Sequence, residues 1–326
     1  MDNKEQITFT PILVGVYDRH WHLKQCIESL QACPEAKNSV LYIASDAAYK
    51  HEDLEKVRRV RDYIESIDGF KQVVPILREK NVGAIRNYEE AITEIFKKHE
   101  SLILMEDDVL VGTGFLFFMD RGLCYFREDP RVIGISGYLP PNVENSDNRP
   151  FILNRFAPYG MAIWKNKSKL MDSFRTPEFF DACFRDFNFF KEFEKFSPHC
   201  VTPLPLLIHG GKRYADIETG LIMQRKGLFA VYPPKTITKS IGHDGSGLRS
   251  GSNPDLQSQS FSNAFFNVDD VDLRGVNREI AGKIALYRRR RFHSFINYTI
   301  YFFNKHIPFF NFAYIYFVNI YKSYLK

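Results

Sequence analysis

Cysteine is scarce and unpaired in this chain: five in 326 residues, an odd number with no CxxC spacing. That excludes a disulfide scaffold and the common zinc ribbons, and scattered thiols fit a reducing compartment. The opening Met-Asp-Asn-Lys-Glu-Gln lacks the charged-then-apolar run of a secretory signal. No uncharged apolar stretch reaches the roughly 18 residues of a membrane span. Acidic residues stop at Glu279, after which eight Lys or Arg follow. Residues 1–279 hold 36 basic against 39 acidic residues, net −3, so the overall +5 belongs to the tail. The basic pI is therefore no sign of nucleic-acid binding by the main body, and no nucleic-acid partner is expected, whereas the tail suits an anionic surface.

What remains is a globular composition, 44% apolar and 25% charged, unusually rich in Phe (30) and Tyr (17). The length sets a prior of two domains or one large one, and no internal repeat is visible. Apolar runs Pro11–Tyr17, Val40–Ala44, Gln72–Leu77 and Leu102–Met105 read as strands. Pro75 suggests that the third lies at a sheet edge. Between them, Leu23/Cys26/Ile27/Leu30, Leu54/Val57/Arg61/Ile64 and Ile85/Tyr88/Ile92/Ile95 recur at helical spacing. The alternation predicts a parallel sheet with helices on both faces, whose ligands bind beyond the strands' carboxyl ends. Further strands are expected at Val132–Ser136, Gly160–Trp164 and Leu228–Pro233, a Phe-rich helix at 179–196, and a mobile polar loop at 240–263.

The predicted strand ends collect polar groups: Tyr17-Asp18-Arg19, Ser45-Asp46, Arg78–Asn81 and Glu106-Asp107-Asp108. Three consecutive carboxylates after a buried strand repel one another unless a cation compensates them. Hard oxygen ligands of this kind suit Mg²⁺ or Mn²⁺. A solvated acidic turn accounts for the triplet equally well when it is taken alone.

The order of these segments, with Asn81-Val82-Gly83 before a helix, Gly160-Met-Ala-Ile-Trp-Lys165, and Tyr232-Pro233 leading into Ile241-Gly-His-Asp-Gly-Ser-Gly247, resembles the GT-A fold glycosyltransferases that use nucleotide-sugar donors. Within them it is most similar to the family 2-type bacterial enzymes related to N-acetylglucosaminyltransferase I, over residues 9–250. The resemblance implies an α/β fold, a Rossmann-like nucleotide-binding sheet, over residues 1–265, followed by a basic aromatic helical extension, 266–326. It implies Asp108 as a direct ligand of Mn²⁺ or Mg²⁺, with Glu106 and Asp107 near the ribose or behind the metal. It also implies Asp46 on the N3–H of a pyrimidine base, and Tyr17 and Arg19 flanking base and phosphates. Arg19 is equally suited to a surface ion pair, and Asn81 and Gly83 to starting their helix. His243 would be a second metal ligand if the loop folds over the donor.

The general base falls in Arg213-Tyr-Ala-Asp-Ile-Glu218. Asp216 is preferred, with Glu218 as the alternative, because Ala215 stands where the family carries an aromatic residue; Asp216 also suits a helix N-cap. The resemblance implies an inverting transfer from a nucleotide diphosphate sugar to a glycan or lipid-linked acceptor, in surface polysaccharide or lipopolysaccharide synthesis at the cytoplasmic face of a bacterial membrane. A sugar-nucleotide nucleotidyltransferase is disfavoured, since Val16-Tyr-Asp-Arg-His20 has no glycine-rich phosphate loop. A non-catalytic binding module on the same fold stays open through Ala215. The tail, with thirteen Phe or Tyr between 295 and 324 beside Arg288–Arg291, is expected to dock on anionic membrane. Contact with a second copy of the chain, or a helix packed on the catalytic body, is the alternative.

Overall fold

The computed structural model describes residues 9–246, 252–289 and 292–307, then 310, 311, 313–316 and 318. The expectations for Arg290, Arg291, residues 247–251 and the last eight residues lie outside these. In chain order the elements begin β1 (Ile12–Val16), α1 (His20–Gln31), β2 (Val40–Ser45), α2 (Leu54–Glu65), β3 (Gln72–Leu77) and α3 (Ala84–Ile95). Next come β4 (Ser101–Glu106), β5 (Val109–Val111), α4 (Phe115–Tyr125), β6 (Val132–Ser136), β7 (Phe151–Leu153) and β8 (Met161–Trp164). Helices α5 (Lys165–Asp172), α6 (Pro177–Arg185), α7 (Phe187–Phe196), α8 (Leu204–Ile208) and α9 (Ala215–Lys226) follow. The chain continues with β9 (Phe229–Tyr232), β10 (Thr238–Ser240), α10 (Pro254–Gln257), α11 (Arg278–Arg288) and α12 (His293–His306).

The chain divides into two compact units. One holds residues 1–153, 157–168 and 229–275; the other holds 154–156, 169–228 and 276–326. The boundary expected at 265 differs, because α11 and α12 pack into the same unit as α6–α9 instead of forming a separate extension.

In the first unit eight strands form one sheet in the order β3-β2-β1-β4-β8-β6-β9-β7. The β1–β4 half is wholly parallel, and β3, with Pro75, lies at the edge. The other half is mixed: β8 runs antiparallel between β4 and β6, and β7 antiparallel beside β9. Every residue of β1 is buried, and its alternate side chains feed two cores. Ile12, Val14 and Val16 pack with α1, α2 and α4, while Leu13 packs with Ala91 and Ile95 of α3. Helices therefore cover both faces, as the apolar runs predict.

Much of the expected loop at 240–263 is structured. Ser262 donates its N–H to Thr236 O, and Gln259 Nε2 donates to the buried Leu139 O at 2.7 Å. The stretch at 262–265 fits because Gly112 and Gly114 lack side chains. A Cβ there would sit 2.1 and 2.2 Å from the carbonyl oxygens of Ser262 and Ala264. The single Phe-rich helix expected at 179–196 is two, α6 and α7. Asp186 leaves helical geometry between them, caps α7 by accepting from Phe189 N–H, and pairs with Arg225 at 2.7 Å.

The Gly160–Lys165 motif is structural here. Trp164 donates its indole N–H to Leu123 O, and the Lys167 ammonium lies 3.7 Å over the Trp164 ring. That ammonium donates to three carbonyls, Phe126 O, Asp129 O and Val132 O, at 2.8–2.9 Å. Lys167→Met keeps the aliphatic stem but orphans three acceptors. It is expected to cost the sheet unit about 3 kcal/mol. Calorimetric unfolding reads this directly, and an unchanged transition would show that water replaces the ammonium.

Candidate active site

The first unit's polar rim is built where β1 and β4 end side by side, Gly15 in register with Glu106. Gly15 is required there by contact: Tyr88 fills the space a Cβ would take, 2.4 Å from its ring. The Tyr88 hydroxyl accepts from Gly15 N–H and donates to Met105 O, tying both strands together just before their ends. Burial, reinforced by the Glu106 charge, raises the Tyr88 hydroxyl well above its ordinary pKa, so it stays a neutral donor.

Asp107 and Asp108 turn the chain from β4 into β5, and both are nearly buried. Arg19, which precedes the first turn of α1, bridges them. Its Nε and Nη2 donate to Asp107, and its Nη1 lies 2.9 Å from Asp108 Oδ2. Arg19 thus supplies a compensating cation to the carboxylates, and its ion pair is a partly buried one inside the site. Burial pushes the Asp107 carboxyl up to about 7 against the pull of Arg19, and Asp108 and Asp18 push the same way.

Asp108 is the distinctive member. Its Oδ1 is buried with no hydrogen-bond partner among the described residues. Beyond it the antiparallel pair β5 and β10 delivers the Gly-rich turn: Ile241 N–H donates to Asp108 O at 2.8 Å. Gly242 lies against the carboxylate so closely that a Cβ would fall 1.8 Å from Asp108 Oδ2. Asp244 meets His22 Nε2 at 3.1 Å and is held down to about 2, chiefly by the Ser246 hydroxyl and N–H, with His22 adding to them. His243 sets its ring edge-on to Tyr159, 6.4 Å between centroids, and its carbonyl accepts from Asn253 N–H and Gln257 Nε2.

Among the described residues no three His, Cys, Asp or Glu side chains converge as a cage for a metal. Mg²⁺ and Mn²⁺ take one or two protein carboxylates and fill their remaining positions with water and phosphate oxygens. An orphaned Asp108 oxygen beside a second carboxylate fits such an ion.

The other expected residues are placed as follows. Asp46 is buried and accepts from three backbone N–H groups, those of Ala47, Val82 and Gly83, at 2.8–3.0 Å. It thereby shapes the turn into α3, and one of a carboxylate's four acceptor directions is left. Asn81 does not cap that helix; its amide donates to Ala47 O, and Gly83 is the N-cap. Tyr17 accepts from Tyr49 N–H and donates to Asp53 at 2.7 Å, and burial raises its hydroxyl to about 12. Residues missed in the sequence are His22, Tyr88 and Gly242. The signal for His22 is its place three residues after Arg19, in the first turn of α1.

In the second unit Asp216 and Glu218 differ sharply. Asp216 is exposed in the first turn of α9, whose N-cap is Tyr214 and not Asp216. Glu218 is fully buried and bound by Arg175 Nη1 at 2.8 Å, Arg213 Nε at 3.0 Å and Tyr214 N–H at 3.0 Å. Burial pushes its pKa up, but Arg213 and Arg175 prevail and hold it below the ordinary carboxylate value.

No protein-family model matches the sequence, and no curated protein matches it. Solved structures are similar in part. The mannosyltransferase PcManGT from Pyrobaculum calidifontis, in complex with GDP-Man and Mn²⁺, aligns at 12% identity and TM-score 0.36, over 52% of this chain and 47% of that one. S. aureus TarS aligns at 12% identity and TM-score 0.33, over 51% and 29%. TarS 1–349 aligns at 10% identity and TM-score 0.39, over 69% and 60%. This chain therefore spans less than two thirds of each.

Proposed function

We propose that this chain is an inverting, metal-dependent glycosyltransferase that moves a hexosyl or N-acetylhexosaminyl group from a nucleotide diphosphate donor, a UDP-sugar, to a glycan or lipid-linked acceptor. The observation that carries the reading is the orphaned Asp108 oxygen in a buried carboxylate pair where parallel strands end. Mn²⁺ or Mg²⁺ bound there would neutralise the charge that develops on the leaving diphosphate. Asp108 would hold the ion, with His243 as its second ligand. Arg19 lies within reach of the same phosphates, and Glu106 and Asp107 are assigned to the ribose side. Asp46 offers its remaining acceptor direction to the base N3–H, and Tyr17 flanks the base.

Asp216 takes the proton from the attacking hydroxyl as general base. Glu218, already ion-paired, is the weaker choice. The residues from Gly242 onward would exclude water from the bound donor. The setting is bacterial surface polysaccharide or lipopolysaccharide synthesis at the inner membrane face, approached through the basic tail. Among the described residues no helix is long and apolar enough to cross a membrane.

A thermal-shift screen of nucleoside diphosphates with and without Mn²⁺ tests the donor site. UDP is expected to raise the melting temperature only when metal is present, since a ligand specific for the folded state stabilises it by mass action. Absence of a metal-dependent shift with every nucleoside diphosphate would overturn the assignment.

A further inference from the structure

Helix α12 buries two amides beside Ile300 and Tyr301 while it turns two phenyl rings outward. Asn297 and Asn304 of this helix, seven residues apart, are 0% and 2% exposed, and Asn311, beyond the helix end, is 7% exposed. Phe295 and Phe302, at the same spacing, are 74% and 55% exposed. In water a helix normally buries its rings and shows its amides. The inward amides are held in part, Asn304 Nδ2 and Asn311 Oδ1 having no hydrogen-bond partner among the described residues. Asn297 Nδ2 donates to Pro198 O at 2.8 Å, and Asn311 Nδ2 lies 3.4 Å from Asn304 Oδ1. Tyr301 stacks on Phe190 at 4.4 Å between centroids, which locks the helix's rotation within the second unit. The outward phenylalanines are therefore a fixed surface.

We infer that this outward face of α12 is a docking surface for an anionic lipid bilayer, with the Phe295 and Phe302 rings entering the headgroup region. This rests on the membrane attachment proposed above and assigns it to particular side chains. Charge selects the occupant. Arg289, exposed just before the helix, reaches Glu194 of α7 at 3.7 Å, Arg288 is half-buried, Lys305 is exposed near the helix end, and no acidic residue follows Glu279. Phosphate headgroups neutralise such a rim. A second copy would bring the same arginines and lysine face to face across a twofold axis, because an isologous interface pairs a patch with itself.

The full-length chain and the F295S/F302S variant, floated with vesicles of phosphatidylglycerol and phosphatidylcholine in equal parts or of phosphatidylcholine alone, test the inference. The parent chain is expected to float with the anionic vesicles and the variant to bind them about tenfold more weakly. Because both rings are exposed, the variant should melt at the parent's temperature. Equal flotation of parent and variant would overturn the inference. So would failure of the parent to float, or parent dimers that the variant loses in sedimentation. Donor turnover in the same samples separates this from the transferase reading. Unchanged turnover in a variant that no longer floats supports both, whereas flotation without turnover in either protein sinks only the transferase.

Discussion

Asp108→Ala is expected to lower kcat/KM for donor turnover about a thousandfold, equivalent to roughly 4 kcal/mol of transition-state stabilisation, without weakening the fold. The second half of that expectation makes the test specific. A buried carboxylate deep in a satisfied network normally costs several kcal/mol to remove. Asp108 is different, because its Oδ1 has no hydrogen-bond partner among the described residues and its Oδ2 shares Arg19 with Asp107. Deleting it removes an orphaned acceptor and a like-charge repulsion, and leaves Arg19 paired with Asp107. Stability in metal-free buffer is expected to hold or to rise by about 1 kcal/mol. The Mn²⁺-dependent shift with UDP should vanish. Turnover within tenfold of the parent's, or a clear loss of stability, would make the triplet a structural turn.

The parts of this architecture set by local pattern were readable in advance. Four apolar runs separated by amphipathic helices specify β1–β4, and the parallel half of the sheet follows from them. The antiparallel insertion of β8 was not readable, because strand order depends on long-range pairing that a four-residue apolar run does not encode. Asp186 reads as one polar residue inside a Phe-rich helix, and its capping bonds and its partner Arg225 decide the break. At the site, the carboxylate triplet was visible as charge in sequence, but its compensation by Arg19, 88 residues earlier, was not. Asp46 marks a strand end by position, while its three backbone donors come partly from a turn 36 residues on. In the tail, composition showed aromatics among asparagines without revealing which face turns inward.

The same principle separates Asp216 from Glu218, two residues apart in sequence and opposite in environment. Glu218→Gln is expected to cost the helical unit about 3 kcal/mol, since Arg175 and Arg213 would face a neutral amide. Its pH signature follows from the depressed pKa. A carboxyl that ionises more readily folded than unfolded contributes its full stability above the unfolded value, about 4.3, and loses it as pH falls through the lower folded value. The parent should therefore lose stability on acidification in that range, and Glu218→Gln should lose less. Asp216→Asn is expected to leave unfolding within about 0.5 kcal/mol of the parent, because the side chain is exposed. As the proposed base it should cost about a thousandfold in transfer. Measured together, the two variants cross over: one loses stability, the other chemistry. Loss of transfer in Glu218→Gln at temperatures where it is fully folded, with Asp216→Asn active, would move the base to Glu218 and require the acceptor to displace an arginine from it.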